Sequence, residues 1–152
     1  ELQPGEDEEL ESRRKLLQNS EKLSQGLDEA TEALLGGDDS DGAAALLAQA
    51  KRCSDLLIDT ETRSMHLILA AAGQSAEDFS DEPLHRYVAR VTETPLSDAD
   101  SALSAAQKRE TARRILYDAD YEQAKHEIMS PIERFRQQTS GRRSRRFGYQ
   151  IP

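Results

Sequence analysis

Leu16-Leu17-Gln18-Asn19-Ser20-Glu21-Lys22-Leu23-Ser24-Gln25-Gly26-Leu27-Asp28-Glu29-Ala30-Thr31-Glu32-Ala33-Leu34 is the stretch whose spacing decides the fold. Leu16, Ser20, Leu23, Leu27, Ala30 and Leu34 recur at intervals of 4, 3, 4, 3 and 4, which places them along one side of an α-helix as a heptad seam. Leu10 and Leu17 widen that seam into a bundle-type face. Leu16, Leu23, Leu27 and Leu34 are the residues expected to pack on a partner helix. Gly26 is the weak position within it, about 1 kcal/mol less favourable than Ala. Upstream, Leu2-Gln3-Pro4-Gly5 reads as a turn, and Glu6-Asp7-Glu8-Glu9 put four acids where a helix N-terminus favours them. Downstream, Gly36-Gly37-Asp38-Asp39-Ser40-Asp41-Gly42 stops the helix.

The pattern stays helical beyond that loop. A second helix is expected over about 43–57 with Leu46, Leu47, Ala50, Cys53 or Ser54, and Leu57 inward, and Asp59-Thr60 reads as a joint that caps a third. The third carries Met65, Ile68, Leu69, Ala72, Ala76 and Phe79, with Gly73 as a soft spot. Pro83 kinks it, or ends it so that a helix restarts behind Ser80 or Asp81, and Leu84, Tyr87, Val88 and Val91 continue the stripe. After Thr94-Pro95, Ser97 or Asp98 starts a fourth helix through Leu103, Ala106, Ile115 and Leu116. Helical signal persists through Tyr121 and Ile128 to Ser130-Pro131. No period-2 strand pattern and no internal repeat is present. The expected fold is all-α: an elongated antiparallel helical hairpin or bundle of about four helices over 1–129, followed by a basic, disordered tail over 130–152.

Composition agrees with narrow packing stripes. Of the 152 residues, 36% are hydrophobic and 32% charged, with three Phe, four Tyr and no Trp, so few large side chains are available for a deep core. The net charge of −9 is unevenly spread: from Ile132 onward six Arg face one acid, Glu133, giving +5 and leaving −14 before it. The body should repel nucleic acid and the tail attract it. In Gly141-Arg142-Arg143-Ser144-Arg145-Arg146-Phe147-Gly148-Tyr149, arginines interleave with aromatics. Arg142, Arg143, Arg145 and Arg146 are therefore the candidate nucleic-acid contacts, set against a tail that is merely solvated.

Catalytic patterns are missing. There is no GxxxxGK[ST] phosphate loop and no GxSxG nucleophile setting. Asp38, Asp39 and Asp41 lack the closing Glu of an EF-hand loop, being followed by Ala43-Ala44-Ala45. His66, His85 and His126 lie far apart, so no metal site is expected, and no cofactor or small-molecule substrate either. Cys53 stands alone, excluding an internal disulfide and fitting a reducing, cytoplasmic compartment. No apolar run approaches the ~18 residues of a membrane span. The first residue is Glu rather than Met, as expected of a piece of a longer protein.

Leu2-Gln3-Pro4-Gly5-Glu6-Asp7-Glu8-Glu9-Leu10-Glu11, then Arg13-Arg14, Leu17 and Asn19-Ser20-Glu21-Lys22-Leu23, resemble a stretch of the RecN family of bacterial DNA-repair proteins. That family has an LxPxEDEEL turn, a charged helix, an N-(A/S)-E-(K/R)-(L/I) step and an acidic Gly loop, matched here by Leu34 to Gly42. Leu46-Leu47, Leu57-Ile58-Asp59, Glu77-Asp78 and Leu84-His85-Arg86-Tyr87 are similar more loosely. The likeness covers about the first 36 residues well, extends loosely to Pro95 and stops there; Pro83 departs from it, since the family runs an unbroken helix at that point. The resemblance implies the distal part of the coiled-coil arm of an SMC-like ATPase acting in double-strand break repair and recombination. The ATP site would then lie in a head outside this chain, with self-association or that flanking head as partner and a nucleoid-associated location. The alternative is a free-standing helical adaptor whose acidic body binds protein while the Arg tail binds nucleic acid.

Overall fold

The structure, a computed structural model, describes residues 1–34 and 42–147, with side chains placed as far as residue 137. Every regular element among the described residues is helical: α1 (Glu6–Leu34), α2 (Ala43–Ala72), α3 (Leu84–Val91), α4 (Asp98–Ser101), α5 (Ala105–Arg114) and α6 (Ala119–Phe147), with 3-10 turns at Ala76–Asp78 and Ile115–Tyr117. No helix is long and apolar enough to cross a membrane among the described residues.

α1 and α2 run side by side in opposite directions: Arg13 meets Ser64 near one end and Asp28 meets Lys51 near the other. α6 lies antiparallel along another flank of α2. Its Tyr121 meets Glu61, and Ile128 and Ile132 join the cluster that holds Leu47 and Ala50. α2 is thus the central rod, 30 residues and therefore about 45 Å long. The short helices α3 to α5 cap the end where α1 begins and α2 finishes. Two cores result. The cap core gathers Leu10, Leu17, Met65, Leu67, Ile68, Leu69, Val88 and their neighbours. The shaft core holds Leu27, Leu47, Ala50, Leu57, Tyr121, Ala124, Ile128 and Ile132. Consecutive burial of Leu67, Ile68 and Leu69 has a simple cause: that part of α2 is enclosed on several sides by the cap, so a one-sided stripe no longer suffices.

The buried seam of α1 keeps Leu10, Leu17, Ser20 and Leu27 of the expected face but passes one residue beyond Leu16 and Leu23. Glu6, Leu10, Arg13, Leu17, Ser20, Ser24 and Leu27 are all buried and are spaced 4-3-4-3-4-3. Leu27 belongs to this seam, and Leu23 and Leu34 are half-buried against the shaft core. Leu16 is 37% exposed and does not belong to it. The apolar spacing alone pointed one residue away because four of the seven true seam positions are polar. α2 follows the same rule: Ala43, Leu47, Ala50, Ser54, Leu57, Glu61, Ser64 and Ile68 are buried at 4-3-4-3-4-3-4. Buried Glu61 and Ser64 carry the seam past Asp59-Thr60, so the expected joint there is absent and α2 is continuous.

Other boundaries follow local chemistry. Gly73 (φ 66°) ends α2 six residues before Phe79: its N–H reaches Ala70 O at 3.2 Å and that of Gln74 reaches Leu69 O at 2.9 Å, the paired bonds of a Schellman stop. Pro83 precedes α3, which has no side-chain cap from Ser80 or Asp81. Ser97 does cap α4, accepting from the Asp100 N–H at 3.1 Å. The expected fourth helix is split, however, because Ser104 and Gln107 form a reciprocal capping box that starts α5. At Pro131 α6 does not stop, contrary to the expected boundary at 130. The missing N–H weakens the helix there, but Pro131 is itself buried between buried Ile128 and Ile132, and packing on α2 holds the turn. The acidic Gly loop at 35–41 lies outside the described residues.

Candidate functional site

Polar side chains on the two seams build two networks, one in the cap and one in the shaft. In the cap, the Glu6 carboxylate is 0% exposed. One oxygen accepts the Gln3 N–H at 2.7 Å and the other the Arg109 Nε–H at 2.9 Å, with Arg113 Nη2 at 3.5 Å. Arg109 also donates to the Glu1 carbonyl at 3.1 Å, and the N-terminal ammonium donates to Ala72 O. Arg113 forks onto both oxygens of Glu9 at 2.9 and 3.0 Å. Burial pushes the Glu6 carboxyl up, but Arg109, the Gln3 N–H and Arg113 together hold it below its ordinary value. Glu9 is held down chiefly by Arg113.

Beside this clasp, Arg13 donates Nε–H to Ser64 Oγ at 2.7 Å, and Ser64 donates onward to Ala112 O at 2.5 Å. The chain of bonds links α1, α2 and α5 through the cap core. Burial lowers the Arg13 pKa, with Glu9 opposing that shift. An open cleft alongside is lined by Arg13, Leu16, Arg113, Leu116 and Tyr117. α3 is tied to α1 by Arg90, which pairs with Glu21 at 2.6 Å while its guanidinium lies 4.4 Å from the Tyr87 ring centre. Arg63 forks onto Asp100 at 2.8 and 2.9 Å, fastening α4 to α2 and holding the Asp100 carboxyl low.

The shaft network is smaller. Glu61 is 2% exposed and accepts the Tyr121 O–H at 2.8 Å. Ser20 on α1 lies beside the carboxyl, yet Glu61 Oε1 has no hydrogen-bond partner. Burial drives the Glu61 pKa up, outweighing Ser20, Tyr121 and Lys125. The Tyr121 hydroxyl is also raised, by its own burial and by Glu61.

The residues singled out in the sequence separate clearly. Leu23, Leu27 and Leu34 join the shaft core and Leu16 faces the cleft. His85 Nδ1 lies 2.8 and 2.7 Å from the carbonyls of Ala76 and Phe79, so the Nδ1–H tautomer fastens the 3-10 turn. Burial lowers the His66 pKa against the opposing charge of Asp100, and burial raises the Cys53 thiol, which is the wrong direction for a nucleophile. No group of three or more His, Cys, Asp or Glu that could hold a metal occurs among the described residues. Arg142, Arg143, Arg145 and Arg146 lie where side chains are outside the described residues. Sequence reasoning missed Glu6, Arg109, Glu61 and Tyr121, whose only signal is that Glu6 and Glu61 fall in heptad register. No protein-family model matches the chain, and neither a curated protein nor a solved structure matches it.

Proposed function

We propose that this chain is a non-catalytic spacer and interaction segment, the coiled-coil arm of a RecN-like ATPase acting in double-strand break repair. One observation carries the reading: α1 and α2 present matched heptad seams in antiparallel register, over Glu6 to Leu27 and Ala43 to Ile68. Such a pair transmits position along its length and is the building unit of an arm. Buried polar residues on both seams set the register, because sliding α1 by one heptad separates Arg13 from Ser64 and Glu6 from Arg109. The quoted RecN-like motif spans α1 and agrees with that role.

The adaptor reading is favoured by a different observation. Residues of α3 and α5 pack with the ends of α1 and α2 in one cap core, a bundle arrangement rather than a bare two-helix coiled coil. Flanking coding sequence separates the two. The arm requires a GxxxxGK[ST] loop upstream and an ABC-type signature downstream, and the isolated chain should hydrolyse no ATP. A complete reading frame lacking both motifs overturns the arm and leaves the adaptor.

A further inference from the structure

Glu61 sits where α1, α2 and α6 meet, and its Oε1 is a buried side-chain atom left without a partner. We propose that Glu61 is a proton-operated latch for α6: as the neutral acid it holds Tyr121, and with it α6, against α2; as the carboxylate it lets α6 lift away. The acid form places its proton on Oε1, where Ser20 on α1 offers an acceptor, while Oε2 keeps the 2.8 Å bond from Tyr121.

No ion pair reaches Glu61 among the described residues. From α1 the facing groups are Ser20 and the acid Glu21; from α6 they are Tyr121 and Lys125. Lys125 is exposed, stands 5.4 Å over the Tyr121 ring and lies 3.6 Å from Glu122. On the cap side, α5 and the following turn bury the uncharged Thr111, Ala112 and Ile115. Arg13 is committed to Ser64. Beyond Tyr121, α6 is held mainly by Ala124, Ile128 and Ile132 in the shaft core, so it can open without disturbing Leu10, Leu17 or Met65 in the cap core. Release uncovers the α2 stripe of Leu47, Ala50 and Leu57, giving an interaction segment a surface that depends on pH. The latch is a property of the bundle and holds for either reading above.

The sign follows from linkage. Burial raises the Glu61 carboxyl above its ordinary 4.5, so the docked form keeps a proton that the open form releases. The stabilisation that Glu61 gives to docking is fully present below 4.5 and is lost as pH rises through the raised value. Within that window opening grows about tenfold per pH unit. Hydrogen exchange of the full chain, corrected for the intrinsic pH dependence of amides, tests this. Protection over 119–137 should fall with that slope while protection over 64–72 stays constant. In Glu61→Gln, which stays neutral at every pH, the slope should vanish. An unchanged slope in Glu61→Gln, or none in the wild type, overturns the latch. Should the variant not fold, carboxyl ¹³C shifts of the wild type decide: a Glu61 midpoint at or below 4.5 refutes the proposal and one above it supports it.

Discussion

Glu6 and Glu61 are the same residue type, both on heptad seams and both removed from water, yet the protein treats them in opposite ways. At the cap, two arginines from α5 and a backbone N–H converge on Glu6 and keep it ionised. In the shaft, Glu61 meets a phenol and forms no ion pair among the described residues, and burial disfavours its charged form. Burial alone therefore does not set the charge of a carboxyl. What decides is whether donors of sufficient charge reach it before desolvation wins. The cap is locked by charge and the shaft by neutrality, so the two halves respond to pH with opposite signs.

The largest expected effect comes from breaking the cap lock. Arg109→Ala leaves the buried Glu6 carboxylate with the Gln3 N–H and the longer contact to Arg113, and unfolding in urea at neutral pH should show a loss of about 3–5 kcal/mol. Glu6 stabilises above its ordinary 4.5 and ceases to do so as pH falls through its depressed value. The deficit of the variant should shrink over that same acidic window. A deficit independent of pH would mean that Arg109 acts through packing, and the contrast with Glu61 would fail.

The apolar counterpart compares the two cores. Leu17→Ala in the cap core should lower global stability by about 2–5 kcal/mol. Ile128→Ala in the shaft should instead reduce hydrogen-exchange protection mainly over 119–137, since α6 can open on its own. Uniform loss of protection across the chain in Ile128→Ala would show a single cooperative unit. Next in size, Tyr121→Phe removes the donor to Glu61 and should destabilise α6 docking by about 1–3 kcal/mol. Smallest is Leu16→Ala, within about 0.5 kcal/mol on the surface scale, because Leu16 is 37% exposed. A thermal melt of Leu16→Ala beside Leu17→Ala checks the seam register directly.

Helical class, the antiparallel pairing across the Gly loop and the approximate extent of α1 were legible in the sequence, because intervals of 3 and 4 and a Gly-Asp cluster are local signals that need no partner. Ser97 as a cap was legible for the same reason, and the Ser104–Gln107 box lay open to the same reading. The continuity of α2 through Asp59-Thr60 and of α6 through Pro131 was not, since packing on neighbouring helices overrode weak local preferences there. Nor were the polar seam positions Glu6, Arg13, Ser24, Glu61 and Ser64, although Ser20 was part of the expected seam. A polar side chain occupies a seam only if a partner satisfies it, and those partners, Arg109 for Glu6 and Tyr121 for Glu61, lie 103 and 60 residues away along the chain. Periodicity by itself determined that helices form and pair. Only the tertiary structure, by choosing which distant donors arrive, decided which face is buried and which carboxyl keeps its charge.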